Sequence, residues 1–193
     1  MPSFEQRVLE LFEAIHPLDR VARAGYVLRG VAEPESVSAH SHFVSLMALV
    51  FLDEYAGEYD RDKTLAMCLI HDLCEARLMD VPMPAADAYL REAKDEAERV
   101  VTREMLDGFG GKYGDYMDEF LAAVTPEGRL VRALDKAQMM IKVLMYEREG
   151  RGRLREFWLN PKNFADYDIE GASRLFDAIC AEAGEVRPLP KKA

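Results

Sequence analysis

The sequence predicts an all-α chain, and three observations carry that prediction. Apolar residues recur at helical spacing through most of the 193 positions, capping residues precede the periodic stretches, and no run alternates apolar and polar side chains as a strand would. Ser3 stands at an N-cap with Gln6 at the capping-box position. Phe4, Val8, Leu11, Phe12 and Ile15 then form one stripe, so a first helix runs to Pro17. Residues 17–35 hold two Pro and two Gly and read as an irregular connection. Ser36 caps a second helix to about Asp53, with Val37, Val44, Met47 and Phe51 on its apolar side.

Asp60 caps a third helix. Its centre, LAMCLI over 65–70, is too continuously apolar for a surface position, which predicts a buried central helix continuing through His71 and Glu75 until Pro82 and Pro84 stop it. Residues 88–107 are charged and amphipathic, a solvated helix. Gly108, Gly110, Gly111 and Gly114 mark a flexible turn, and Tyr116–Val124 reads as a short helix. Thr125-Pro126, an N-cap followed by proline at the first helical position, launches a long helix to about Glu149. Residues 150–167 read as irregular. Asp168 to Ala183 closes the chain with Gly184 beyond its end, and the basic Lys191-Lys192 tail is expected to fray. The expectation is one domain over 1–193, with a motif-bearing core of about 16–150 and a helical extension over about 150–185.

Charge narrows the partners. The chain has 25 Lys+Arg against 35 Asp+Glu, a net −10, which argues against tracking a nucleic-acid polymer but leaves room for a small phosphorylated ligand. No apolar run approaches the ~20 residues that span a bilayer, so no membrane partner is expected. The N-terminus lacks the cationic stretch and apolar core of a signal peptide. Cys68, Cys74 and Cys180 have no framework spacing and fit free thiols, so the expected compartment is the cytoplasm.

The chemistry concentrates at His71-Asp72-Leu73-Cys74-Glu75. Three ionisable groups directly after an apolar hexapeptide are costly to bury unpaired. A lone His-Asp pair is more often a satisfied core histidine with a salt-bridge partner than a metal site. Two further residues shift the balance: His40 in the first turn of the preceding helix, and Asp135 beside the inward-facing positions Val131, Leu134, Gln138 and Ile141. Two His and two Asp from three helices make a four-ligand set for a divalent transition ion, with positions left for water. Cys74 is close enough to His71 to ligate, but its apolar neighbours favour an inert core thiol. His42 points away from His40, and His16 reads as a helix-end residue. The Met139-Met140 and Met145 cluster fits core or a dimer surface, and Arg148, Arg151, Arg153 and Arg155 read as a solvated mixed-charge segment.

At these residues the chain resembles the HD-domain metal-dependent phosphohydrolases, whose signature is H…HD…D, and within them the YfbR-type 5′-deoxynucleotidase branch. The resemblance covers roughly 16–150. It is carried by Arg23-Ala24-Gly25-Tyr26, Pro34 to His40 (PESVSAH), His71 to Ala76 (HDLCEA), Asp80, and Leu134-Asp135-Lys136. It implies His40, His71, Asp72 and Asp135 as ligands of one divalent metal such as Co²⁺ or Mn²⁺, with too few further histidines for a second ion. It also implies Glu75 as the group acting on the attacking water, Arg23 as the phosphate ligand, Tyr26 near the sugar in place of the usual Trp, and Asp80 on the deoxyribose. Met79 stands where the commoner pattern has Gly. From the residues alone, Arg20 and Arg29 compete with Arg23.

The implied reaction is hydrolysis of (deoxy)nucleoside 5′-monophosphates to nucleoside and phosphate by a homodimer. A metal lowers the pKa of water and polarises a phosphoryl oxygen, Glu75 takes a proton, and a guanidinium stabilises charge, so no Ser or Cys nucleophile is required. Two rivals stay open at this point: an HD phosphohydrolase of a triphosphate or alarmone, and a non-catalytic helical regulatory module that keeps the metal as a clamp.

Overall fold

Side-chain caps at Ser3, Ser36, Asp60 and Thr125 start four helices where the sequence places them. In the computed structural model, which describes residues 2–188, Ser3 and Gln6 close a reciprocal capping box on α1 (Phe4–Ile15). A short α2 (Ala24–Val27) interrupts the first connection, and Ser36 accepts the Ala39 N–H at 3.3 Å to begin α3 (Val37–Glu54). Asp60 accepts the Lys63 N–H to begin α4 (Arg61–Ile70), and a turn leads into α5 (Glu75–Leu78). A single turn, α6 (Met83–Ala85), and a π-turn over Ala86–Leu90 precede α7 (Arg91–Leu106) and α8 (Lys112–Ala122). Thr125 caps the long α9 (Pro126–Arg148), followed by α10 (Arg155–Leu159) and α11 (Glu170–Ala183), which Gly184 ends in a left-handed turn. The described residues form no strand; Ala22 and Ser36 make an isolated bridge. Lys191 and Lys192 lie outside the described residues.

Two apolar clusters meet on α9. On one side Tyr26, Met140, Val143, Trp158 and Phe176 pack against α10 and α11. On the other, Val44, Met67, Met117, Leu130 and Leu134 join α3, α4 and α8. The central helix is therefore α9, not the LAMCLI helix: within α4, Leu69 is 59% exposed because α3, α8 and α9 cover only part of its circumference. The Met cluster belongs largely to the core, with Met139 and Met140 buried and Met145 half-exposed. The α1 stripe is half-covered at Leu11 and Ile15, and no residue of α1 is buried; Phe4 lies edge-on to Phe109 at the surface.

The predicted continuous helix through Glu75 breaks. His71 is the C-cap of α4, and Leu73 and Glu75 make three-residue turns back to Ile70 and Asp72 before α5 begins. Consecutive helical side chains diverge by about 100°, so His71 and Asp72 cannot both face His40 from a regular helix. The break turns both inward. Other differences are smaller: Gly114 lies inside α8, and residues 150–167 contain α10 and a 3₁₀ turn at Pro161–Phe164.

Candidate metal centre and its cavity

His40 projects from the first turn of α3 and is fully buried; His71 is 2% exposed at the end of α4. The Nδ1–H of His71 donates to the Cys68 carbonyl at 2.9 Å, and the Nδ1–H of His40 donates to Gln138 Oε1 at 2.6 Å. An oxygen acceptor at each Nδ1 fixes the tautomer and leaves Nε2 as a lone pair. Those two lone pairs face each other at 3.4 Å. Asp72 Oδ2 lies 3.2 Å from His71 Nε2 and 3.6 Å from His40 Nε2, and Asp135 Oδ1 lies 3.2 Å from His40 Nε2. His40, His71 and Asp72 thus offer ligand atoms all within 4.8 Å of one another, and Asp135 adjoins them through His40.

This donor set fits a divalent cation. Two imidazole lone pairs and the Asp72 carboxylate converge, the Asp135 carboxylate adjoins them through His40, and Asp135 Oδ1 is buried without a hydrogen-bond partner. Such an arrangement of acceptors is repulsive unless a proton or a metal stands among them. Arg23 supplies part of the compensation: its guanidinium donates to Asp72 Oδ2 at 3.0 Å and approaches Asp135 at 3.8 Å and Glu75 at 4.0 Å.

The electrostatics follow from burial and neighbours. When a proton rather than a metal stands among these acceptors, burial would raise the Asp72 carboxyl, but the protonated His71 and the Arg23 charge outweigh it and hold it below the ordinary range. For Asp135, burial is likewise outweighed, by Lys136, His40 and Arg23. Glu75 goes the other way: burial pushes it well above the ordinary carboxylate value, with Asp72 and Asp80 pushing in the same direction. Burial pushes the Cys68 thiol up to about 12 and the Cys74 thiol upward as well, which keeps both as buried, neutral thiols.

Beside this cluster opens a cavity of about 730 Å³, a size suited to a small organic ligand. Arg23, Glu75, Asp80 and Tyr26 all reach its wall. Asp80 accepts the Ala24 N–H at 2.6 Å and so tethers the segment that carries Arg23. Tyr26 is chiefly a core side chain, 2% exposed, stacked on Phe157 with its hydroxyl donating to the Met139 carbonyl. Arg29 lines the same cavity paired to Glu156, whereas Arg20 is exposed outside it, so Arg23 alone of the three touches the carboxylates. His42 is exposed beside Phe43 and His16 is exposed after α1.

Sequence reasoning missed the groups behind His40. Gln138 also donates to Glu35 Oε2 at 3.0 Å; Lys142 stands 3.7 Å from the same oxygen, and the Glu35 N–H donates to the Tyr146 hydroxyl. Gln138 was visible as a polar side chain on the inward face of α9, three residues after Asp135.

A family model described as HD domain matches residues 15–166. The chain is 31% identical over 159 residues to the zebrafish (Danio rerio) protein named 5′-deoxynucleotidase HDDC2, covering 79% of this chain and 77% of that one. The Xenopus laevis protein of the same name is 30% identical over 162 residues, covering 81% and 78%. Among solved structures, the PH0347 protein from Pyrococcus horikoshii OT3 superposes with a TM-score of 0.74 at 30% identity, and a conserved hypothetical protein from Pyrococcus furiosus with 0.73 at 32%. Each pairing covers 91% of this chain and 98% of the other. With a family model spanning most of its length and this arrangement of His40, His71 and Asp72, the chain belongs to the HD domain family.

Proposed function

We propose that this protein is a metal-dependent phosphomonoesterase that hydrolyses (deoxy)nucleoside 5′-monophosphates to nucleoside and orthophosphate. The observation that carries it is the convergence of two Nε2 lone pairs with the Asp72 and Asp135 carboxylates beside a ligand-sized cavity. The names of the relatives support the same substrate class. In this reading His40, His71, Asp72 and Asp135 hold one divalent transition ion, Co²⁺ or Mn²⁺. When bound, such an ion supplies Lewis-acid polarisation of the phosphoryl oxygen and acidifies water.

Glu75, kept basic by burial, takes the proton of the attacking water; the new P–O bond forms as the bond to the 5′-oxygen breaks, and that oxygen leaves with the proton returned from Glu75, directly or through solvent. Arg23 provides the guanidinium for the phosphoryl oxygens, its position held by the Asp80–Ala24 hydrogen bond. Tyr26 and Asp80 form the wall that the sugar would meet.

The test is Glu75→Gln, which removes the base and preserves its volume. It retains the metal and loses most phosphate release from deoxynucleoside monophosphates; full activity would remove Glu75 from its role. A panel of mono-, di- and triphosphates discriminates against the polyphosphate reading. Chelation that lowers thermal stability, with no release from any nucleotide, would favour the regulatory module.

The single-domain reading, a cytoplasmic location and a homodimer belong to the same proposal. No helix among the described residues is long and apolar enough to cross a membrane, and the three cysteines are free and buried. Phe43, Leu46 and Val50 lie at i, i+3 and i+7 on α3 and are 43%, 48% and 57% exposed, a face suited to a second copy of the chain. Sedimentation of wild type against Leu46→Glu tests it: a wild-type dimer reduced to monomer supports the assignment, and a wild-type monomer refutes it.

A further inference from the structure

The cavity wall carries seven cationic side chains, and six of them each have a carboxylate partner, Asp87 serving two. Arg23 pairs with Asp72, Arg29 with Glu156, Arg91 with Asp87, Lys94 with Glu98, Lys136 with Asp135 and Lys162 with Asp87. Arg132 is different. No carboxylate among the described residues stands within 4.0 Å of it, although it is half-buried on the same wall.

Its geometry is nevertheless fixed. Nε donates to the Tyr167 hydroxyl at 3.0 Å, and Nη1 donates to the Phe120 and Leu121 carbonyls at 3.2 Å each. The guanidinium lies over the rings of Phe120 and Tyr167, 5.2 and 5.9 Å from their centroids. Three neutral acceptors orient the group without cancelling its charge, and Nη2 has no hydrogen-bond partner among the described residues. A positioned, partly desolvated guanidinium without a counter-ion favours an incoming oxyanion, since the ordering cost has been met before binding.

The location ties it to the metal centre. Arg132 stands one turn before Asp135 on α9, and the Phe120 ring it covers also packs edge-on against His71 at 5.4 Å. A ligand group at Arg132 and one at His71 are therefore neighbours across a single aromatic ring.

We propose that Arg132 forms a second oxyanion subsite of this cavity, binding a phosphoryl oxygen of the ligand in addition to Arg23. The proposal rests on the phosphomonoesterase reading for the class of ligand. Two sources share the chemistry: the phosphoryl group under attack, and a second phosphoryl group elsewhere on the same molecule. Equilibrium binding of orthophosphate and of methylenediphosphonate to the metal-loaded full chain separates them, because neither probe is turned over.

Arg132→Gln is expected to weaken at least one probe tenfold or more. A loss confined to methylenediphosphonate assigns Arg132 to a second phosphoryl group, and an equal loss for both assigns it to the reacting one. Arg132→Lys keeps the charge but cannot bridge Tyr167 and the two carbonyls, so it recovers only part of the affinity and melts at a lower temperature than wild type. If both variants lose stability and bind both probes as wild type does, Arg132 merely ties α8 to α9 and the proposal fails. Wild-type protein that binds orthophosphate through Arg132 yet hydrolyses no monophosphate would overturn the phosphomonoesterase reading alone.

Discussion

Replacing Gln138 by Leu separates a metal centre from an ordinary buried histidine cluster. The side chain has two tasks: its carbonyl oxygen accepts the His40 Nδ1–H at 2.6 Å, and its amide donates to Glu35 Oε2 at 3.0 Å. Leucine matches the volume and abolishes both. Without its acceptor, the His40 ring is free to place its proton on Nε2, where it competes with a cation. Losing such a supporting partner typically costs roughly 10–100-fold in metal affinity, or about 1.4–2.7 kcal/mol.

Glu35 is left with Lys142 at 3.7 Å as its remaining cation, and its other oxygen already has no hydrogen-bond partner. The fold should therefore lose about 1–3 kcal/mol as well. Calorimetric titration with Co²⁺ reads the first effect, and denaturant unfolding of the metal-free protein reads the second. Gln138→Glu isolates them. It keeps an acceptor for His40, so Co²⁺ affinity should stay within about threefold of wild type, whereas a second carboxylate against Glu35 should lower stability. A folded Gln138→Leu protein with wild-type Co²⁺ affinity would refute the reasoning that His40 binds through an Nε2 lone pair fixed from behind.

Other predictions follow from local geometry. Met79 adopts φ 64° and ψ 163°, a region nearly reserved for glycine, immediately before Asp80. Relief of roughly 1–3 kcal/mol of backbone strain against about 0.5–1 kcal/mol of added chain entropy makes Met79→Gly stabilising, read as a higher melting temperature; a lower one would show the strain to be absent. Asp166 holds Arg187 at 2.7 Å, and Arg187 also donates to the Phe164 carbonyl, securing the segment that carries Asn163 and Tyr167 to the cavity. Burial would raise the Asp166 carboxyl, but hydrogen bonds from Arg187 and from the Asp168 backbone hold it below its ordinary 3.8. Because the folded value is the lower one, its stabilisation is present above about pH 4 and lost as pH falls through the depressed value. Asp166→Asn should therefore cost about 1–2 kcal/mol at pH 7, a difference that shrinks to nothing in strong acid; a gap independent of pH would assign the cost to packing.

The four ligand candidates were legible in the sequence because each sits in a local signal. His40 follows an N-cap, His71-Asp72 ends an apolar run, and Asp135 lies on the inward face of a helix whose start Thr125-Pro126 announces. The turn at 71–74 was not legible, since helix propensity favours continuation and only the distant His40 requires two consecutive side chains to face one point. Periodicity likewise identified an inward face on each helix without specifying how much of the circumference neighbours would cover. That is why Leu69 emerges exposed, α9 is central and α1 stays at the surface. Glu35, Gln138 and Lys142 are brought together from two segments about a hundred residues apart, a relation no local pattern encodes.

Phosphate release from deoxynucleoside 5′-monophosphates is the most direct measurement, made on one preparation before chelation, after it, and after Co²⁺ or Mn²⁺ is restored. The expected sequence is release, loss and recovery. Turnover indifferent to the chelator, or no phosphate from any monophosphate with either ion, would contradict hydrolysis at the His40–His71–Asp72–Asp135 centre.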